Sequence, residues 1–419
     1  GTNWKDIENI PTTQVYQVAY NPHEPQDYYA GAQDNGTSFG NSSTINDWNK
    51  IYGGDGFRTV FHPLNPKVFY AQIQRGVILV TVNGGQSWEV ATEGIPDSDR
   101  KNWDTPYLMS MHDPNVLFTG THRVYKTETG PMPVWKAISP DLTNGETRNL
   151  SQTISTIHQS SLNPAILYAA TTDGNIWRTL DEGANWTKLE GLPKRYFTEV
   201  VASPESEQTV FATISGYKDN ENTAHIYRSD NQGDTWYSIA GNLPPLAINC
   251  LQVIPNQDDQ IIFVGTDGGV YGTLNGGASW ERVGTNLPIV AAYDLEWNPS
   301  ENRLVVGTFA RSVLSYPLDG IVREDNLSSV NYKEADVQPL TIFPNPALQE
   351  ISLTFTNERP NKAVILSILD VEGRIVQTTK KPTNRLVNWQ VDVSHLMAGQ
   401  YWVQVQGEVF RYSASFIKL

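Results

Sequence analysis

The feature of this sequence that most constrains the fold is an eight-residue box that occurs four times. Each copy reads Ser/Thr-x-Asp/Asn-x-Gly-x-Ser/Thr/Asn-Trp, as in TLDEGANW at residues 179–186. The Asp or Asn side chain can accept hydrogen bonds from its own turn, and the glycine permits a positive φ. The box therefore predicts a tight turn that delivers a tryptophan to the packed interior, where its N–H finds a partner. The defining residues of the four copies are Asn83 and Trp88, Asp181 and Trp186, Asn231 and Trp236, and Asn275 and Trp280.

The spacing of the tryptophans predicts a ring of repeated units. Degenerate copies at Trp4, Trp48 and Trp135 extend the series, with intervals of 44, 40, 47, 51, 50 and 44 residues. A strand, a glycine-containing turn and a second strand precede the box in each clear unit, so each unit holds four strands, as propeller blades do. The last unit stops at Leu318 without its tryptophan strand. The strand around Trp4 would complete it and leave no open sheet edge at the join.

These patterns predict an all-β fold with a seven-bladed β-propeller over residues 1–318. A polar stretch over residues 319–340, without the repeat, reads as a linker. Six or seven alternating strands follow over residues 341–419 and predict a small C-terminal β-sandwich. Aromatic residues at 11% and charged residues at 18% suit many short strands joined by turns.

Composition excludes several classes of function. A formal charge of −15 disfavours binding to nucleic acid or to anionic membranes, and no apolar run approaches the length of a membrane span. Cys250 is the only cysteine, so no internal disulfide framework is possible. The histidines lack metal-ligand spacing, and the DNQGD segment at 230–234 resembles a calcium loop only up to its missing Glu. No metal and no cofactor are therefore expected.

The C-terminal segment carries four short signals in a fixed order. They resemble the type A C-terminal sorting domain of the type IX secretion system of Bacteroidetes. The resemblance implies recognition by the outer-membrane translocon and its shuttle protein, and a secreted or surface-attached product. The signals are FPNP (Pro344, Asn345 and Pro346), LDVEGR (Gly373), LMAGQY (Gly399 and Tyr401) and the terminal FIKL (Lys418).

The boxes resemble the Asp-box (BNR) repeats of β-propellers, a family that includes sialidases, xyloglucan-degrading glycoside hydrolases and the sortilin ectodomain. The resemblance covers residues 1–318 and implies the fold far more strongly than any function. Sialidase activity is not expected, because no Arg-Ile-Pro element is present and the FRTV segment at 57–60 is a poor substitute. Asp267-Gly268-Gly269 and Asp173-Gly174-Asn175 occupy the turns that carry the catalytic aspartates in the xyloglucanase-like family. They lack that family's spacer residue after the aspartate.

The propeller face opposite the boxes is the default binding site, because the second-to-third turns and the connections between blades meet there around the channel. Those segments contain acids and aromatics, a combination suited to sugars through ring stacking and hydroxyl hydrogen bonds. The catalytic candidates are Asp34, Asp55, Asp173 and Asp267. The ligand-binding candidates are Asp55, Trp103, Asp104, Tyr107, Arg195, Tyr196, Tyr293 and Asp294.

These candidates leave three functions open. Asp-Gly and Asp-Asn-Gly are also common hairpin turns, so Asp34, Asp173 and Asp267 fit a purely structural role as well. The glycines that flank Asp55 fit a bend between blades as well as a ligand contact. We expect a secreted or cell-surface recognition module for a glycan or protein ligand. The alternative is a glycoside hydrolase that acts on a polysaccharide with paired aspartates, and a third possibility is a structural surface protein whose channel is filled by its own side chains.

Overall fold

The computed structural model describes residues 12–44, 47–145, 152–321, 340–356, 363–370, 375–382, 386–406 and 411–419. The chain divides into two compact units, residues 1–327 and 328–419. Both are built from antiparallel strands, and the described residues include only two short 3₁₀ turns, Gln74–Gly76 and Tyr217–Asp219. The prediction of an all-β fold is confirmed.

The described part of the first unit contains seven antiparallel sheets that follow one another along the chain, and each is a simple up-and-down meander. The first strands are β1 (Val15–Asn21), β5 (Val60–Phe61), β9 (Tyr107–Met109), β13 (Ile154–Gln159), β17 (Tyr196–Ala202), β21 (Ile248–Val253) and β25 (Ala292–Asn298). The second strands are β2 (Glu24–Ala32), β6 (Phe69–Ile73), β10 (Leu117–Gly120), β14 (Leu167–Thr171), β18 (Val210–Ser215), β22 (Ile262–Thr266) and β26 (Arg303–Thr308).

The third strands of these sheets are β3 (Gly36–Asn41), β7 (Val77–Thr81), β11 (Val124–Thr127), β15 (Ile176–Thr179), β19 (His225–Ser229), β23 (Gly269–Thr273) and β27 (Val313–Pro317). Six sheets have a described fourth strand: β4 (Trp48–Tyr52), β8 (Glu89–Val90), β12 (Lys136–Ala137), β16 (Thr187–Leu189), β20 (Tyr237–Ser238) and β24 (Glu281–Arg282). The strand predicted around Trp4 to complete the seventh sheet lies outside the described residues.

The first and seventh sheets pack against each other, so the series of sheets closes on itself. The backbone N–H of Val18 on β1 donates to the Asp294 carboxylate on β25 at 2.8 Å. Val15 and Val18 share a buried apolar cluster with Val305 on β26. Ser312 N–H also donates to the carbonyl of Thr13 at 3.1 Å. These contacts join the first and seventh sheets through described residues, from Thr13 onward.

The boxes form the turns between third and fourth strands, as predicted. In the copy that ends at Trp186, the Asp181 carboxylate accepts the Asn185 N–H at 2.8 Å, and the Thr179 hydroxyl accepts the Gly183 N–H at 2.9 Å. Gly183 has a φ of 95°, which a residue with a Cβ rarely adopts. The Trp186 indole N–H then donates to the carbonyl of Ile138 in the preceding sheet at 2.8 Å. The box thus ties this sheet to the one before it.

The same bond does not form in every copy. Trp280 donates to the Ile239 carbonyl at 2.9 Å, and the degenerate copy at Trp135 donates to Ala91 at 2.8 Å. The indole N–H groups of Trp88 and Trp236 have no hydrogen-bond partner among the described residues. The prediction that each box tryptophan finds a polar partner therefore holds for two of the four clear copies.

The second unit has two antiparallel sheets in its described residues. One is ordered β28 (Thr341–Phe343), β29 (Glu350–Thr356) and β32 (Leu386–Asp392). The other is ordered β31 (Ile375–Pro382), β30 (Ala363–Leu369), β33 (Gly399–Gln406) and β34 (Arg411–Lys418). Alternate side chains of both sheets meet in a single buried cluster that includes Leu353, Trp389, Leu366, Val403 and Phe416. Most of the predicted linker, residues 322–339, lies outside the described residues.

Candidate functional site

A β-bulge near the start of the first strand recurs in five of the seven sheets. The register shifts between Val15 and Gln17, and equivalent shifts occur in β13, β17, β21 and β25. Each bulge inserts one residue and re-aims the side chains beside it, as bulges next to functional sites commonly do. Consecutive residues of four first strands therefore line the central channel: Ser155 and Thr156, Thr198 and Glu199, Asn249 and Cys250, and Tyr293 and Asp294.

These residues enclose a cavity of about 210 Å³ in the centre of the first unit, which we call the channel cavity. Its polar wall is formed mainly by Gln17, Arg58, Asp104, Glu199 and Asp294. Ligand pockets for whole small molecules are typically about 300–1,000 Å³, so this cavity can hold only part of a ligand, such as one side chain or one ring.

One guanidinium lies among the carboxylates of the channel cavity. Arg58 donates from Nε to the Gln17 Oε1 at 3.2 Å, and its Nη2 lies 4.0 Å from Asp294 Oδ1. Gln17 in turn donates from Nε2 to Asp104 Oδ2 at 2.9 Å. Burial alone would lower the pKa of Arg58, but Asp294 and the neighbouring Glu296 raise it above its ordinary value. The arginine is therefore fully charged, and its side chain is 39% exposed because the channel admits solvent.

The carboxyl groups around this arginine resist ionisation. Burial raises the pKa of Asp104 to about 6, although the hydrogen bond from Gln17 and the charge of Arg58 oppose the rise. Burial and the charge of Asp294 raise the pKa of Glu199 to about 8. Burial likewise raises the pKa of Glu296 to about 7 and raises that of Asp294. Carboxyl groups with raised pKa values in a cavity are typical of functional sites, and they also occur in structural networks.

Two of these carboxylates also hold neighbouring sheets together. Glu199 Oε2 accepts the N–H of Leu251 on the next sheet at 2.6 Å, as Asp294 accepts the N–H of Val18. Each still has a second carboxylate oxygen. Their structural bonds therefore leave room for a further partner in the cavity.

The mouth of the channel carries an aromatic cluster. Trp103 is 44% exposed, and Arg75 lies over its ring at 5.8 Å from the ring centroid. Tyr16 stacks on Phe57 with ring centroids 4.9 Å apart. Burial raises the pKa of Tyr16, a hydrogen bond with Trp103 opposes this, and the charges of Asp55, Asp34 and Asp104 raise it further. The predicted acids Asp34, Asp55 and Asp104 and the predicted Trp103 thus lie together with Tyr16, which was not predicted, at one edge of the mouth.

The four catalytic candidates do not line the channel cavity: Asp34, Asp173 and Asp267 lie in turns between second and third strands, and Asp55 lies in the connection from β4 to β5. Asp55 is 8% exposed and accepts the backbone N–H of Asp34 at 2.8 Å, so it fixes the neighbouring turn. Asp173 accepts the N–H of Asn144 at 2.8 Å and a hydrogen bond from the Thr171 hydroxyl. This bonding gives Asp55 and Asp173 structural roles.

Asp267 differs, because its carboxylate is exposed near the cavity. Asn249, which lines the cavity, donates from Nδ2 to Asp267 Oδ1 at 3.0 Å. The charge of Asp267 also raises the pKa of Tyr293, after the larger effect of burial. Of the four catalytic candidates, Asp34 and Asp55 lie near Tyr16 of the aromatic cluster, and Asp267 lies near Tyr293.

Apart from Asp55 and Trp103 near the mouth, the ligand-binding candidates fall into two groups. Asp104, Tyr107, Tyr293 and Asp294 line the channel cavity, although Tyr107 is only 2% exposed and its hydroxyl donates to the Arg58 carbonyl at 2.7 Å. Arg195 instead pairs with Glu221 at 3.1 Å and with Asp219 at 3.3 Å.

Tyr196 lies beside this second group. Its hydroxyl accepts a hydrogen bond from Asn102 at 3.4 Å, and the Lys218 ammonium lies 4.7 Å from its ring centroid. Tyr196 therefore shares the loop surface of Arg195 and is not one of the residues that line the channel cavity.

Sequence reasoning missed Gln17, Arg58 and Glu199 as site residues, together with His158. Burial lowers the pKa of His158 to about 4, so this channel residue is neutral. A signal was present: Glu199 is a charged residue in the middle of the otherwise apolar strand YFTEVVA. No cluster of three or more His, Cys, Asp or Glu side chains suited to a metal occurs among the described residues.

Three of the four C-terminal signals come together in the second unit. The Asn345 side chain accepts the N–H of Ile417 at 2.9 Å, which joins FPNP to the terminal FIKL. Gly399 pairs with Lys418, and Tyr401 stacks on Phe416 with ring centroids 5.7 Å apart, so LMAGQY also contacts FIKL. The fourth signal, at Gly373, lies outside the described residues.

Residues 341–418 match the family model described as a secretion system C-terminal sorting domain. The protein is therefore exported through the type IX secretion system to the cell surface or the extracellular space. No helix in the part of the chain that the structure describes is long and apolar enough to cross a membrane.

Two curated relatives match shorter parts of the chain. A vacuolar protein sorting/targeting protein 10 of Laccaria bicolor is 31% identical over 84 residues, covering 20% of this chain and 5% of the relative. A xyloglucanase of Paenibacillus sp. is 24% identical over 144 residues, covering 30% of this chain and 14% of the relative. The chain thus spans only a small part of the length of either relative.

Two solved structures share the fold. YCF48 from Cyanidioschyzon merolae superposes with a TM-score of 0.56 at 15% identity, covering 74% of this chain and 97% of that one. The GH74 xyloglucanase from Xanthomonas campestris superposes with a TM-score of 0.56 at 13% identity, covering 99% of this chain and 81% of that one. At these identities the likeness concerns the fold alone, and it agrees with the propeller that the boxes predict.

Proposed function

We propose that this protein is an exported recognition module that binds an extracellular glycan through the mouth of its propeller channel. The observation that carries the proposal is the aromatic cluster at the mouth, where the exposed Trp103 lies beside Tyr16 and the carboxylates of Asp34, Asp55 and Asp104. Aromatic faces stack on sugar rings, and carboxylates accept hydrogen bonds from sugar hydroxyls. A protein ligand that presents an aromatic or cationic side chain is the second form of the same proposal.

Affinity gel electrophoresis of the full chain in gels containing soluble polysaccharides tests the proposal. We expect retardation in at least one polysaccharide, reduced about tenfold or more in Trp103→Ala because a stacked indole is a main contact. The control is Tyr237→Ala, since Tyr237 is a similarly exposed aromatic (48%) on β20 outside the channel cavity and its mouth. Retention that is equal in both variants, or retention by no polysaccharide, counts against glycan binding at the mouth.

Hydrolysis of a polysaccharide is the second candidate function. It is supported by two carboxyl groups of the channel cavity, Asp104 and Glu199, whose raised pKa values suit acid–base work. The match to a Paenibacillus xyloglucanase favours a β-glucan as substrate for such an activity. New products detected by mass spectrometry, and lost in Asp104→Asn and Glu199→Gln, would establish hydrolysis in place of simple recognition.

A further inference from the structure

The channel cavity has an excess of acidic and acceptor groups that its own residues do not neutralise. The single guanidinium of Arg58 faces four carboxyl groups: Asp104, Glu199, Asp294 and Glu296. Its closest carboxylate contact is 4.0 Å, to Asp294, which is at the limit of an ion pair. His158 is neutral, so it adds no second positive charge to the wall.

A buried amide oxygen in the same wall also lacks a partner. Gln159 lines the channel cavity and is 6% exposed. Its Nε2 donates to the Pro164 carbonyl at 2.9 Å, whereas its Oε1 has no hydrogen-bond partner among the described residues. A buried acceptor without a donor costs free energy unless water or a ligand supplies the donor.

We infer that the channel cavity binds a primary ammonium group of the ligand. An ammonium supplies three N–H donors and one positive charge. The positive charge favours the ionised form of the carboxyl groups in this wall, and their oxygens then accept the donors in charge-assisted hydrogen bonds. The volume of about 210 Å³ accommodates one ring or side chain. The inference rests on the proposed glycan recognition and gives the ligand class: a glycan with free amino groups, with its amino sugar in the cavity and the adjoining ring on Trp103.

Three β-1,4-linked tetrasaccharides of equal length provide the test, titrated calorimetrically into the full chain. They are the free-amine glucosamine tetramer, its N-acetylated form and the neutral glucose tetramer. We expect the free-amine form to bind about tenfold or more tightly than the other two, as a charge-assisted hydrogen bond predicts.

Variants at the acid wall connect the affinity to the channel. Glu199→Gln removes the carboxyl group that can ionise beside a bound ammonium while it keeps an acceptor for the Leu251 N–H, and Asp104→Asn is a second variant in the wall of the channel cavity. Each should reduce the preference for the free amine about tenfold. The matched control is Glu281→Gln, which removes an equal charge at an exposed position on β24. An equal loss in the control would reveal general charge attraction and overturn the inference.

The remaining outcomes separate this inference from the proposed function. Equal affinity for all three tetrasaccharides would overturn the ammonium site and leave glycan recognition standing. Binding of none of the three, together with binding of a lysine-containing peptide that Glu199→Gln abolishes, would keep the ammonium site and overturn glycan recognition. Binding of neither the sugars nor the peptide would overturn the ammonium site, and glycan recognition would then be judged by the polysaccharide gels alone.

Discussion

Replacement of Glu199 by Gln should stabilise the propeller at alkaline pH and leave its stability nearly unchanged at acidic pH. In the folded protein burial raises the pKa of Glu199 to about 8, from an ordinary value of 4.5. The folded state therefore holds a proton that the unfolded chain has released, and stability falls as pH rises through the window from about 4.5 to 8. The Gln side chain does not titrate, so the variant lacks this loss and keeps the acceptor for Leu251.

The size of the effect follows from the same shift. A rise from 4.5 to about 8 sets an upper limit of roughly 5 kcal/mol, at about 1.4 kcal/mol for each pKa unit. Solvent reaches the channel cavity and Arg58 is shared with Asp294, so screening reduces the value to about 1–2 kcal/mol. For a unit of residues 1–327, with an unfolding entropy of about 2.1 cal/mol/K per residue, that corresponds to a rise in Tm of about 1.5–3 °C at pH 9.

Differential scanning calorimetry of the full chain between pH 5 and pH 9 measures this change. The control is Glu281→Gln, at an exposed position on β24, whose melting temperature should follow the wild type at every pH. A variant Glu199→Gln that melts at the same temperature as the wild type at pH 9, or that changes equally at pH 5 and pH 9, would refute the reasoning.

Three further predictions concern packing, ring closure and export. Trp280→Ala should cost about 3–5 kcal/mol of unfolding free energy, because the indole is 3% exposed and donates to the Ile239 carbonyl. The exposed Trp103 is the control, and Trp103→Ala should change the unfolding free energy by about 0.5 kcal/mol or less in the same denaturant titrations. Trp4→Ala should destabilise the propeller by a similar amount if the strand around it completes the seventh sheet, and an unchanged midpoint would contradict that closure. Asn345→Ala should reduce the secreted fraction on immunoblots, because its bond to Ile417 joins two sorting signals; normal secretion would contradict this role.

The sequence predicted the repeat architecture well because the box is a local structure. Its Asp or Asn, its Gly and its Trp lie within eight residues, so the turn and its tryptophan can be read without tertiary information. The six or seven strands predicted in the C-terminal segment correspond to the seven described strands β28 to β34, since their alternation is local. The unpartnered indole N–H groups of Trp88 and Trp236 could not be foreseen, because the bond depends on a carbonyl that the preceding sheet must supply.

The candidate site was predicted only in part, because the β-bulges change which residues of the first strands face the channel. Strict alternation assigns every second residue of a first strand to the channel, whereas the bulge between Phe197 and Glu199 brings consecutive residues to it. Tyr293 and Asp294 were found because they follow a connection between sheets. Glu199 and Arg58 were missed because they are far apart in the sequence, and only the folded sheets bring them to the same cavity. Asp55 and Asp173 were candidates both for chemistry and for a structural role, and their carboxylates accept the backbone N–H groups of Asp34 and Asn144.

The structure of a complex tests the central claim most directly, namely that the channel mouth is the binding surface. Crystals of the propeller grown with the glycan that the affinity gels retain most strongly provide the measurement. The account predicts a sugar ring stacked on Trp103, with its neighbour directed into the channel cavity toward Asp104 and Glu199. Glycan bound at the boxes on the opposite face, or a channel mouth without sugar at saturating concentration, would contradict the account.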